Sequence, residues 1–128
     1  MGSMSFEQRK KVGMQAEEAF EIFADKAHIA LLPLSKFKKD DYTTTTASMP
    51  PEVKYLPDYR VEIDWEWGFV EVKNSIFWNQ AECDYQKTLP NLYLWVQNRL
   101  VKFFDVKLAG PYPGSKNGSG MPYYRVIV

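Results

Sequence analysis

The stretch PDYRVEIDWEWGFVEVK, residues 57–73, constrains the fold more than any other. Apolar and polar residues alternate on both sides of a short interruption, the period-two signature of a β-hairpin. Tyr59, Val61 and Ile63 form the apolar set of the first strand, opposed by Asp58, Arg60 and Glu62. On the second strand Val70 and Val72 point toward a core. Glu71 and Lys73 share the other face, about 6–7 Å apart. A two-residue turn at Asp64-Trp65 sets Asp58 opposite Glu71, and a turn one step later sets it opposite Lys73. Both registers give one apolar face and one face bearing Asp58, Glu71 and Lys73.

The flanking segments predict the rest of an α/β fold. From Ser5 to His28 the pattern is helical, with Val12, Ala16, Ala19, Phe20, Phe23 and Ala27 in one apolar stripe and Ser5 as N-cap with Gln8 as box partner. HIALLPLSKF reads as a strand bent or ended by Pro33. KKDDYTTTTASMPPEVKY has no periodicity and reads as a long loop. Loops of that length are usually functional or mobile. After the hairpin, NSIFWNQAECDYQKTL predicts a second helix from near Ser75, stopped before Pro90. NLYLWVQNRLVKFFDVKL predicts two strands turning near Asn98. AGPYPGSKNGSGMP reads as a loop and YYRVIV as a closing strand.

With 128 residues the chain suits one domain, taken here as 4–128 because the leading MGS resembles a vector scar. Sixteen basic and sixteen acidic side chains cancel, so an anionic partner must be held by a local patch or through bound cations. The lone cysteine, Cys83, precludes an internal disulfide and favours a reducing, intracellular compartment. No apolar run is long enough to cross a bilayer.

Two carboxylates brought close together repel unless something positive lies between them. Mg²⁺ or Mn²⁺ suits the pair, since hard cations take oxygen ligands, and the Val72 carbonyl beside Glu71 could add a third. A cation held by Asp58, Glu71 and Val72 can polarise a phosphate and acidify a water. Lys73 can then steady the developing charge.

A Pro-Asp dipeptide followed, after twelve residues, by Glu-Val-Lys resembles the signature of the PD-(D/E)xK nuclease superfamily. The resemblance spans residues 12–97 and implies a restriction-endonuclease-like core of helix, three strands, helix and strand, here with extra C-terminal strands. It implies that Asp58 and Glu71 hold the metal, that Lys73 acts beside the attacking water, and that an acid from the first helix joins them. Glu17 is the choice for that acid, with Glu18 and Glu21 as rivals. Gln80 lies where some members carry a helix glutamine, although its spacing to Tyr85 does not match the Gln-x-x-x-Tyr variant. The small size is similar to that of resolvase-like and phage-type members, whose expected substrate is DNA and whose symmetric cuts imply a homodimer. A non-catalytic nucleic-acid-binding module and a viral RNA endonuclease are the alternatives on the same core.

Other features read as structural or auxiliary. His28, the only histidine, reads as a cap or packing residue, and Cys83 as a packing residue. Trp65, Trp67, Phe69, Trp78 and Tyr85 can stack on unpaired bases or fill a core. The lysines of KFKKDD and QRKK, and the hydroxyls of Thr43 to Thr46 and Ser48, can meet phosphates or water.

Overall fold

The structure is a computed structural model that describes residues 6–35, 50–114 and 120–128, giving the backbone path alone for 6–14 and 51. The Ser5 cap with Gln8, the side chains of Val12 and the QRKK lysines, and the KFKKDD and threonine segments lie outside the described residues.

The chain is a mixed α/β fold. Helix α1 (Phe6–Lys26) leads to strand β1 (Ala30–Pro33), a one-turn helix α2 (Pro51–Lys54), and the hairpin strands β2 (Tyr59–Ile63) and β3 (Glu66–Lys73). Then come β4 (Phe77–Asn79), helix α3 (Gln80–Gln86), β5 (Leu92–Val96) and β6 (Arg99–Lys102). A 3-10 turn (Phe103–Asp105), β7 (Lys107–Pro113) and β8 (Pro122–Ile127) complete the described chain. One sheet runs β1-β2-β3-β5-β6 and a second runs β4-β8-β7. Strands β1, β2 and β3 are antiparallel, whereas β5 lies parallel to β3, with β4 and α3 forming the crossover. Among the described residues no helix is long and apolar enough to cross a membrane.

The hairpin takes the first of the two registers. Asp64 and Trp65 both have positive φ, 53° and 69°, as a type I′ turn requires, and Tyr59 pairs with Val70. The ladder carried one pair further puts Asp58 opposite Glu71.

Each face of the central sheet meets a core. Phe20 and Ala24 of α1 pack on Tyr59, Val61, Val70 and Trp95, which alternation places on one face. The Phe20 ring sits 5.0 Å from Tyr59 and 5.6 Å from Trp95, tilted contacts that add to the buried apolar area. The opposite face carries Leu92, Leu94 and Val96 of β5, covered by Trp78, Cys83 and Val126 from the crossover and the second sheet.

α1 ends at a left-handed residue. His28 has φ 57°, and the Ile29 amide reaches back to the Ala24 carbonyl at 2.8 Å, so the histidine occupies the helix's C-terminal backbone cap.

Three expectations need correction. The helix after the hairpin starts at Gln80, not near Ser75, because Phe77–Asn79 pair with Tyr123–Arg125 of β8 and are held extended. The segment before the hairpin contains the α2 turn at Pro51–Lys54 rather than loop throughout. The C-terminal loop is shorter than expected, since β7 runs on to Pro113 and β8 begins at Pro122.

Candidate active site

The acid pair forms where β2 begins and β3 ends. Pro57 is fully buried, and the Leu34 amide donates to the Asp58 carbonyl at 2.9 Å, so the backbone entering β2 is tied to the end of β1. The Asp58 side chain then takes a strand's role. Its Oδ2 accepts from the Val72 amide at 2.8 Å, continuing the ladder one step before the first β2 residue. In an extended strand the amide and carbonyl of one residue face the same neighbour, so the Val72 carbonyl faces the Asp58 side as well.

Glu71 is only 7% exposed. The expectation of a purely polar face is corrected here, for a physical reason. Glu71 has Asp58 on its β2 side, but on its β5 side its partner is Leu94, a fully buried floor of the second core. Burial, then the charges of Asp58 and Glu82, lift the Glu71 carboxyl well above the usual carboxylate range, with Lys73 opposing them. Asp58 thus bears on Glu71 as a neighbouring negative charge, and burial with that charge disfavours ionisation of Glu71.

Lys73, two residues on, lies with its ammonium 5.5 Å from the centre of the Trp78 ring. It stands next to the pair, as expected, and its charge acts on Glu71.

Glu17 lies on the α1 side of the site, one helical turn before Glu21. The Tyr59 hydroxyl donates to Glu21 Oε2 at 2.7 Å. Burial, that bond and the charges of Glu21, Glu17 and Asp58 push the Tyr59 phenol far above its ordinary value. The charges of Glu17 and Asp58 thus both act on one hydroxyl. Among the described residues, however, no three of the His, Cys, Asp and Glu side chains converge as a metal-ligand group. Glu17 is therefore not brought into a three-acid cluster with Asp58 and Glu71, and Glu18 is exposed.

The donor set that does converge is two carboxyls with the Val72 carbonyl facing them. Mg²⁺ is commonly held by one or two carboxylates with waters completing its shell, so the set fits a hard divalent cation. Neither His28 nor the buried Cys83 contributes, and burial pushes the Cys83 thiol up to about 12.

Two site residues escape the sequence reading. Glu82, on α3, accepts a hydrogen bond from Trp78 Nε1 at 3.0 Å and adds its charge to Glu71. Its signal was present as Asn79-Gln-Ala-Glu82, in which the Asn79 side chain accepts from the Glu82 amide at 3.1 Å as a helix N-cap. A helix begun at Ser75 hides that box. Gln80, by contrast, is hydrogen-bonded to Asp84, which also accepts from the Tyr124 hydroxyl at 3.0 Å. It belongs to the contact between α3 and the second sheet.

Tyr59 is the other. It reads in sequence as one of three apolar strand residues, and only the position of α1 reveals the acids at its hydroxyl.

Fully buried Gln86 braces the approach to the site from behind. Its Nε2 donates to the Tyr55 carbonyl at 2.9 Å, fixing the chain three residues before Asp58.

No protein-family model, curated protein or solved structure matches this chain.

Proposed function

We propose that the chain is a small metal-dependent nuclease of the PD-(D/E)xK type, hydrolysing DNA phosphodiester bonds on a restriction-endonuclease-like core. The observation that carries this reading is the Asp58–Glu71 pair at the end of β3, with Glu71 buried, Asp58 half-buried and Lys73 two residues on. Burying one carboxyl beside a second is costly in the free protein, and a cation between them would offset that cost. The element order supports the same reading, since a helix, three antiparallel strands and a crossover helix lead to a strand parallel to the third.

Asp58, Glu71 and the Val72 carbonyl would hold Mg²⁺ or Mn²⁺. When bound, the cation supplies positive charge to the phosphate and an acidified water. A bound cation would favour the ionised form of Glu71 against the burial and neighbouring charges that raise its carboxyl. Lys73 supplies a mobile cation for the charge that develops at phosphorus. Asp58, held at its other oxygen by the Val72 amide, keeps its orientation throughout. Glu17 contributes negative charge from the helix side.

A structure-selective or resolvase-like substrate suits the even net charge, because duplex wrapping calls for a basic surface. Paired cuts would then require a homodimer.

The test is direct. The protein is incubated with plasmid, single-stranded DNA, RNA and four-way junctions in Mg²⁺, Mn²⁺ or chelator. Cleavage of a DNA substrate that stops in chelator is expected. Preferential cleavage of RNA would move the substrate to RNA, and no cleavage of any would overturn the reading.

A further inference from the structure

Beyond the acid pair, at the C-terminal ends of β3 and β5, lies a hollow of about 420 Å³. Its wall comes from three places: the chain after β3, the β5–β6 turn, and the side of α1. Four carboxamides line it, Gln15, Asn74, Gln97 and Asn98, together with Lys73. Among the described residues the lining includes no carboxylate, and Ile76 and Val96 supply apolar surface.

The carboxamides are exposed, so none is consumed by the core. The turn does not explain them all either. Gln97 and Asn98 have φ 53° and 58°, a left-handed pair that favours asparagine and glycine. Asparagine at 98 meets that demand. Glutamine at 97 does not, and its side chain gains nothing for the turn.

A carboxamide presents a donor and an acceptor side by side, the pattern that pairs with the edge of a nucleobase. A ligand recognised by charge alone would call for several cations, whereas this wall has one. The volume lies in the range of small-ligand pockets, large enough for a single unpaired nucleotide. Lys73 joins the hollow to the acid pair.

We propose that this hollow holds one unpaired nucleobase next to the scissile phosphate and reads its edge through Gln15, Asn74, Gln97 and Asn98. The inference rests on the nuclease reading for its place in the substrate. It gives a chain without a separate recognition domain a base preference at one position.

Two measurements test it. Binding of the four deoxynucleoside 5′-monophosphates is titrated in chelator, followed by amide chemical shifts. The tightest and weakest should differ by about tenfold, the discrimination of one good bidentate contact. Asn74→Ala with Gln97→Gly should narrow that spread to about twofold. Glycine at 97 suits the positive φ, so the turn is retained. Asn98→Gly, at the other left-handed position, is the second variant if the double substitution does not fold. Equal affinities, a preference that survives the substitutions, or no saturation at millimolar nucleotide would overturn the inference.

In the second measurement a randomised single-stranded DNA library is cleaved with Mn²⁺ and the ends are sequenced. One position beside the cut should show a base preference that the double variant loses. Cleavage without any preference overturns the hollow and leaves the nuclease reading standing. Discriminating binding without cleavage of any substrate does the reverse.

Discussion

The Asp58 carboxylate accepts the Val72 amide at 2.8 Å, in the position that a backbone carbonyl would occupy if β2 were one residue longer. A single side chain thus completes the sheet and anchors the candidate metal site. Its two roles can be separated by chemistry. The amide needs an acceptor, while a cation needs charge.

Substitution at Asp58 exposes that separation. Asp58→Asn keeps an acceptor for Val72 and removes a charge beside Glu71, so it should be at least as stable as the parent. Asp58→Ala leaves a partly buried amide unpaired and should be about 1–2 kcal/mol less stable than Asp58→Asn. Urea unfolding measures the difference. Both variants should lose Mn²⁺ binding by titration calorimetry and lose metal-dependent cleavage. Wild-type cleavage by both would remove the pair from the mechanism.

Glu71 makes stability depend on pH in a stated direction. Its folded carboxyl holds a proton more tightly than the unfolded one, because burial, Asp58 and Glu82 all disfavour the charge. Between the two values the native state binds more protons, so stability falls as pH rises above the ordinary glutamate range. The metal-free protein should therefore melt at a lower temperature at pH 8 than at pH 5. Glu71→Gln should flatten that part of the profile and raise stability at neutral pH by about 1–3 kcal/mol. A parent profile that rises from pH 5 to 8 would contradict the burial argument.

On the proposed nuclease reading, Lys73→Ala should lose turnover and keep most of its Mn²⁺ affinity, because the ammonium would serve the phosphate rather than the cation. The substitution also removes the cation from the Trp78 ring, a loss of about 0.5–1 kcal/mol. Cleavage at the parent rate would reduce Lys73 to a packing residue over that ring.

Gly68 marks where the crossover returns to the sheet. A Cβ there would collide with the Asn91 carbonyl and side chain, just before β5 pairs with β3. Asn91 is itself left-handed, at φ 52°, and bonds the Trp67 carbonyl through Nδ2 at 2.9 Å. Gly68→Ala should destabilise by about 2 kcal/mol or more, with a lower urea midpoint and an unchanged slope. Parent stability would mean that the β3–β5 junction is looser than drawn.

The hairpin was legible in the sequence because alternation and a two-residue turn are local. Asp58, Glu71 and Lys73 followed from side-chain period alone. The burial of Glu71 was not legible, since Leu94 lies 23 positions away and reaches it only through the crossover. The start of α3 was missed for a related reason. Phe77–Asn79 are held straight by β8, more than 40 positions on, and that pairing overrides a local helical pattern. The choice among Glu17, Glu18 and Glu21 came from resemblance, and a helical period cannot say how far a carboxylate stands from a strand on another element.

Glu82 supplies the sharpest test of the site as built, because no hairpin argument includes it. Its carboxylate takes the Trp78 indole N–H at 3.0 Å while its charge disfavours ionisation of Glu71. Its amide is capped by Asn79. Glu82→Gln retains the cap and an acceptor for the indole, so the helix start and the Trp78 packing are preserved. What changes is the charge. With one negative neighbour fewer, Glu71 ionises at lower pH, so the fall in stability with rising pH should end earlier and be smaller than in the parent. Thermal melts from pH 4 to 9 read the shift, with Glu71→Gln as the flat reference. The double variant Glu82→Gln/Glu71→Gln should match Glu71→Gln alone, because the coupling needs both carboxyls. An unshifted profile in Glu82→Gln would show that the acid on α3 caps its helix and holds its indole without acting on the pair.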